Sequence, residues 1–379
     1  MGPLAGFRII ELAGIGPGAM GAMMLGDMGA DVIRVDRPPV GPDSVIPPRY
    51  LVHERSRRSI VVDLHKPEGA RVVLRLVASA DGLIDPFRPG VAERLGIGPD
   101  PCLAVNKRLV YARMTGWGQD GPLASSAGHD INYIALTGLL HAIGRASEPP
   151  VPPLNVVGDY GGGGLLLAFG VVCGLVEAQR TGTGQVVDAA MVDGVALLFG
   201  FIFGQHAAGL WTDERGVNLL DSGAPFYNVY ETSDGKYVSI GPIEPRFYAL
   251  LLEKVGLAAE ELPLQMDRRR WPDMKRRFER IFKTRTRDEW CRMLEGTDVC
   301  FAPVLSIREA PYHPHAQARH AYVDVDGSLQ PAPAPRFSRT PGLVQSAAPS
   351  CGADGDEVLG ECGFGPDEIE ALHRNGVLG

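Results

Sequence analysis

The sequence predicts an α/β protein with a large domain on a doubly wound parallel sheet and a smaller α+β domain after it. Three observations carry this. Residues 7–36 read as strand, glycine turn, helix and strand. The same alternation then continues to about residue 190, a span typical of a single domain. Past that point the pattern changes to a hairpin followed by charged helices.

The first strand is Phe7-Arg8-Ile9-Ile10-Glu11-Leu12, and the turn is Ala13-Gly14-Ile15-Gly16-Pro17-Gly18. A helix over residues 19–28 has small and apolar residues at helical spacing, and Asp31-Val32-Ile33-Arg34-Val35 is the next strand. Residues 59–64 form a strand and 67–79 a helix with Val72, Val73, Leu76 and Val77 on one side. Gly82-Leu83-Ile84 and Leu109-Val110-Tyr111-Ala112 are short strands. A helix over 164–179 ends near Arg180-Thr181-Gly182-Thr183-Gly184 and leads into Gln185-Val186-Val187-Asp188. Residues 190–224 mix an apolar helix with a polar loop. Residues 227–240 form a meander with a turn at Ser233-Asp234-Gly235, and charged helices lie between Arg268 and Arg292. Residues 331–349, rich in Pro, Ala and Ser, form an extended connection. The last helix ends at Gly376, a natural C′ glycine.

A chain of 379 residues exceeds what one compact core usually holds. Its net charge is −8, from 37 basic and 45 acidic residues. That balance excludes the basic surplus of a nucleic-acid binder, so an anionic ligand must be met by local basic residues. The six cysteines are widely spaced, with no C-x-x-C pair and no histidine at zinc-finger spacing. Neither a disulfide framework nor a metal site is expected, and reduced thiols in a cytoplasmic protein fit best. The start of the chain lacks signal-peptide character, and Val377-Leu378-Gly379 is not a peroxisomal tripeptide. The apolar stretches 160–176 and 194–210 fall short of a membrane span and read as buried helices at a core or subunit interface.

Gly14-x-Gly16-x-x-Ala19 approaches a dinucleotide fingerprint, with Asp36 ending the next strand. Pro17 removes one N–H from such a phosphate cradle, and Arg37 suits a phosphate better than a ribose diol. The turn is therefore read as structural, or as lying near a nucleotide other than nicotinamide.

His129 and Asp159 each sit at the edge of an expected helix, beside small residues. Taken singly, Asp159 reads as an N-cap for the helix that follows and His129 as a hydrogen-bonded core histidine. Their surroundings change the weighting. Ile10-Glu11-Leu12-Ala13-Gly14-Ile15-Gly16-Pro17-Gly18, Asp31-Val32-Ile33-Arg34-Val35-Asp36-Arg37-Pro38, Gly128-His129-Asp130-Ile131-Asn132-Tyr133, Gly184-Gln185-Val186-Val187-Asp188-Ala189, Gly223-Ala224-Pro225-Phe226-Tyr227 and Gly241-Pro242-Ile243-Glu244-Pro245 resemble the family III CoA-transferase superfamily. Within it, the Gly-His-Asp-Ile-Asn-Tyr run resembles the branch of α-methylacyl-CoA racemases.

The resemblance implies a large Rossmann-like domain over residues 1–189 completed by 332–379. It also implies a linker at 190–224, a small domain at 225–313 and a return linker at 314–331. Two such chains interlock as a homodimer. His129 and Asp159 are then the catalytic pair, with Glu244 a further active-site residue supplied by the partner's small domain. On sequence alone, Glu244 before Pro245 reads as a helix-start acid. Gly128, Asp130, Ile131, Asn132 and Tyr133 become substrate-binding positions. No cofactor is implied, because CoA arrives as part of an acyl-CoA thioester substrate.

Racemising a 2-methylacyl thioester requires removing the α-proton from one face and returning it to the other. A histidine and a carboxylate serve as the two groups, with burial keeping the acid protonated. Backbone N–H groups at glycines 161–164 are candidate donors to the enolate oxygen. Candidate CoA contacts are Arg37, Arg88, Arg94 and the stretch Val62-Asp63-Leu64-His65, where relatives often carry Lys in place of His65. Arg55-Ser56-Arg57-Arg58 reads as a further phosphate clamp or an exposed loop. Met20, Met23, Met24 and Met191 are either an apolar wall for the acyl group or core packing. The rival readings are a CoA-transferase using Asp159 as nucleophile, a nicotinamide oxidoreductase, and an inactive acyl-CoA-binding protein.

Overall fold

The computed structural model describes residues 2–38 and 46–379. Met1, which opens the stretch read as lacking a signal peptide, lies outside them. The chain divides into two compact units. One comprises Met1–Thr137, Leu154–Leu198 and His320–Gly379; the other comprises Gly138–Pro153 and Phe199–Arg319.

The first unit is built on six parallel strands: β1 (Arg8–Leu12), β2 (Asp31–Asp36), β3 (Arg58–Val61), β4 (Gly82–Asp85), β5 (Val110–Thr115) and β6 (Gln185–Ala190). Their order is β3-β2-β1-β4-β5-β6. The chain moves outward from β1 through β2 to β3, then returns to the other side at β4. Strand order therefore reverses between β1 and β4, the usual place for a ligand in an open parallel sheet.

Helices cover both faces, which explains why the strands are nearly continuous apolar runs. On one face lie α1 (Pro17–Asp27) and the helix Leu166–Thr181, packing Ala22, Leu25, Leu167, Val171 and Leu175 against the sheet. On the other lies α2 (Pro67–Ala78), which buries Val72, Val73, Leu76 and Val77 as their spacing requires. A single turn, α3 (Val91–Arg94), and α4 (Pro99–Val105) follow on that side. Val358, Leu359, Val377 and Leu378, near the end of the chain, complete this core.

One element departs from the sequence reading. The helix expected from residue 164, with Asp159 as a possible N-cap, begins at Val156. It runs as a π-helix over Val156–Leu165 and continues as the α-helix Leu166–Thr181. Asp159 is thus inside a helix, not at its cap. Glycine's poor helix propensity makes this stretch read as a loop, but here the glycines are packing points. A Cβ on Gly162 would lie 2.8 Å from the Val195 nitrogen, and one on Gly164 would lie 2.8 Å from the Pro17 carbonyl oxygen. The earlier start also lengthens the apolar helix. Val156–Thr181 spans 26 residues and is long and apolar enough to cross a membrane, although half of its most apolar stretch is buried within the protein.

The helix Met191–Leu198, read as the start of a connecting segment, belongs to this unit. Gly194 lets it approach the π-helix backbone; a Cβ there would sit 2.0 Å from the Gly162 carbonyl oxygen.

The second unit carries a three-stranded antiparallel sheet of β7 (Asn228–Glu231), β8 (Tyr237–Ile240) and β9 (Phe301–Val304). Gly235, with φ of 73°, turns the first hairpin. The helices Trp271–Phe282 and Arg287–Leu294 bury an aromatic cluster of Tyr230, Phe278, Phe282 and Trp290.

Gly194→Ala should destabilise the first unit by about 1–3 kcal/mol through overpacking. Gly360→Ala, in a helix with open space around it, should raise stability by about 0.4–1 kcal/mol. Urea midpoints measure both; equal shifts for the two would contradict the packing role of Gly194.

Candidate active site

A cavity of about 1540 Å³ opens where the strand order of the first unit reverses. Its walls are the loops that leave β1 to β5, together with His129, Tyr133, Asn155, Asp159 and Met191. The first loop is shaped by two glycines. Gly16 holds φ at 70°, and a Cβ on Gly14 would collide with Pro86 of the loop after β4. Pro17 then opens α1 without a free N–H.

Several expected CoA contacts meet here. Arg37, Val62, Asp63, Leu64, His65, Arg88 and Arg94 all line the cavity, and Arg37, His65, Arg88 and Arg94 are exposed. Lys66 also lines it, but its ammonium donates to the carbonyls of Asn375 (2.6 Å) and Gly376 (2.8 Å), closing the end of the last helix.

Arg55-Ser56-Arg57-Arg58 is neither a phosphate clamp nor an exposed loop. Arg55 is buried against Asp27 at 2.7 Å and Arg57 pairs with buried Glu11. Arg58 binds Asp31 and Glu361. Each guanidinium is held by internal carboxylates, which the local run of basic residues could not reveal.

The run from Gly128 to Tyr133 resolves residue by residue. A Cβ on Gly128 would press on Trp117 and Tyr133. His129 is the N-cap residue of α5 (Asp130–Leu136) and stands exposed at the cavity. Its N–H donates to Asn132 Oδ1 at 3.0 Å. Tyr133 is buried with its ring edge-on to Trp117, centroids 4.8 Å apart. Asp130 is buried, and its Oδ2 accepts the backbone N–H of Asp159 at 2.8 Å. Gly128, His129 and Tyr133 line the cavity. Asp130 and Asn132 act from behind it, and Ile131 is an exposed residue away from its walls.

Asp159 is half-buried, and burial pushes its carboxyl above the usual carboxylate range. Asn155 counters this by donating to Asp159 Oδ2 at 3.1 Å. The charge of Asp130 pushes the carboxyl up, and nearby His129 draws it down. His129 and Asp159 are therefore electrostatically coupled groups on one cavity.

Glycines 161–164 are not free donors, because they lie inside the helix ladder, where their N–H groups bond within the helix. Of the four methionines, only Met191 lines the cavity. Met23 is buried, Met24 packs on the core, and Met20 packs on Gly164. Glu244 lies in the second unit, exposed, as the N-cap residue of the helix Pro245–Lys254. Asn155 is the residue that sequence reasoning missed. Its signal was a spacing of four from Asp159, hidden because the helix was started too late.

The family model for CoA-transferase family III matches residues 4–355. The chain belongs to that family. It is 46% identical to the α-methylacyl-CoA racemase of Mus musculus, across 99% of this chain and 97% of that protein. The α-methylacyl-CoA racemase of Homo sapiens is 43% identical, with the same coverage. A crystal structure of a CaiB/BaiF family protein from Brucella suis matches with a TM-score of 0.82 and 26% identity, covering 95% of this chain and 99% of that one.

The two influences on Asp159 can be separated. Asn155→Ala removes a donor to the ionised form, so the titration midpoint of the Asp159 carboxyl should rise further, read by carbon-13 NMR. A midpoint that stays put or falls would show that Asn155 does not stabilise the carboxylate.

Proposed function

We propose that this chain is an α-methylacyl-CoA racemase that interconverts the two epimers of a 2-methylacyl-CoA thioester by 1,1-proton transfer through an enolate. The observation that carries this reading is the placement of His129 and Asp159 on one cavity, with His129 near enough to draw the Asp159 carboxyl down. Two such groups on opposite faces of one carbon can exchange roles, the base for one epimer being the acid for the other.

The raised pKa of Asp159 suits the acid role, since a carboxyl held above its ordinary range keeps its proton at higher pH. Asp130 fixes the backbone beneath it, and Asn155 fixes one carboxyl oxygen. Arg37, Arg88 and Arg94, with His65, take the phosphates of CoA on the wall of the same cavity. The protein brings no cofactor, and CoA is the handle of the substrate.

The active unit in this proposal is a homodimer of interlocked chains, with Glu244 donated by the partner to orient His129. Large apolar side chains exposed on the chain support it. In the first unit, Phe169 and Leu197 are 65% and 70% exposed. In the second, the helix Gly200–Ala207 buries no residue and leaves Phe201 63% exposed. Six widely spaced cysteines with no C-x-x-C pair fit a reducing compartment such as the cytoplasm.

The test uses a single epimer of a 2-methylacyl-CoA in deuterated water with no acceptor acid. Racemase action predicts loss of stereochemical purity together with deuterium at the α-carbon, both abolished in the His129→Ala, Asp159→Ala double variant. An untouched α-proton in the wild type contradicts the proposal. A transferase using Asp159 as nucleophile would leave that proton in place and act only when an acceptor acid is added.

A further inference from the structure

Arg113 lies on β5 with its side chain only 11% exposed, yet it does not line the cavity. Its guanidinium reaches in two directions. One nitrogen pairs with Glu93 of α3 and another donates to Gln119 in the loop after β5. Neither partner lines the cavity, but each lies close in sequence to a residue that does, Glu93 beside Arg94 and Gln119 two residues after Trp117.

Glu93 sits beside Arg94 in a helix of only four residues. One turn cannot hold itself in water, so its position depends on what anchors it. Ala92 is buried in the core and supplies one anchor. Leu95 at its end packs on the same core, the Glu93 pair with Arg113 adds a polar anchor, and the short helix then presents Arg94 at the cavity wall. Gln119 follows Trp117 and Gly118, and its N–H is fixed by Asp188 Oδ2 at 3.1 Å. Trp117 packs edge-on to Tyr133 and closes over Gly128, next to His129. A single fork therefore ties the arginine-bearing wall to the reactive wall.

We infer that Arg113 is a positioning residue, with Glu93 as its partner, that sets Arg94 at the distance from His129 which a full-length CoA ester requires. The inference rests on the acyl-CoA reading of the cavity. Its consequence is specificity: the Arg113–Glu93 strut matters for thioesters that carry the nucleotide and not for thioesters that stop at pantetheine. A purely structural pair would affect both alike.

The experiment compares α-deuterium incorporation into 2-methylacyl-CoA and into 2-methylacyl-pantetheine. Glu93→Gln, Arg113→Gln and the double variant are measured against wild type. In Glu93→Gln, KM for the CoA ester should rise about tenfold, with kcat within about twofold, as expected for loss of one charge-assisted hydrogen bond. The wild type's KM preference for the CoA ester over the pantetheine ester should shrink by the same factor. The double variant should be no worse than Arg113→Gln alone, because the two residues act through one contact. Glu93 is half exposed, so its variant tests the inference even where Arg113→Gln fails to fold. A preference unchanged in Glu93→Gln, or an equal KM rise for both esters, overturns the strut while leaving the racemase reading intact. A wild type that exchanges neither ester overturns the racemase reading and the strut with it.

Discussion

One hydrogen bond joins the two elements that carry His129 and Asp159: the Asp159 N–H donates to the buried carboxylate of Asp130. Asp130 opens α5 immediately after His129, while Asp159 lies in the π-helix, so this bond sets the two reactive side chains relative to each other. It exists because residue 158 is glycine. A Cβ there would lie 2.4 Å from the accepting oxygen and would force the elements apart. The wider π turn and the glycines that follow serve the same end, letting α1 and the helix Met191–Leu198 close on the segment that holds Asp159.

The chemistry depends on this arrangement at two levels. Burial raises the Asp159 carboxyl, while Asn155 and His129 limit that rise. A carboxyl raised by burial and drawn back by a donor and a nearby histidine suits the alternating acid and base role proposed for it. Around it, a chain of net negative charge presents arginines at the one cavity where phosphates are expected. Carboxylates occupy the guanidinium groups of Arg55, Arg57 and Arg58, and also that of Arg34 at the cavity wall, while Arg37, Arg88 and Arg94 line the cavity as exposed arginines.

The alternating part of the fold was legible in the sequence because parallel strands buried on both faces are apolar runs and α2 repeats at helical spacing. The glycine turn was legible because Gly16 requires a positive φ. His129 and Asp159 were proposed from resemblance to known proteins more than from spacing, since each alone reads as a cap or core residue. What stayed hidden depends on distant partners. The start of the π-helix is decided by packing against Pro17 and Val195, not by local propensity. Arg57 and Glu11 are 46 residues apart, so their pairing cannot be seen in the run of arginines. Asn155 became visible only when the helix was extended back to it.

The central claim is that His129 and Asp159 address opposite faces of one carbon. Single variants test it most directly, by following α-proton exchange of each 2-methylacyl-CoA epimer in deuterated water. Asp159→Ala should exchange one epimer and His129→Ala the other, each without inversion. If both variants exchange the same epimer, or if either still racemises, the two residues do not form a pair across the α-carbon.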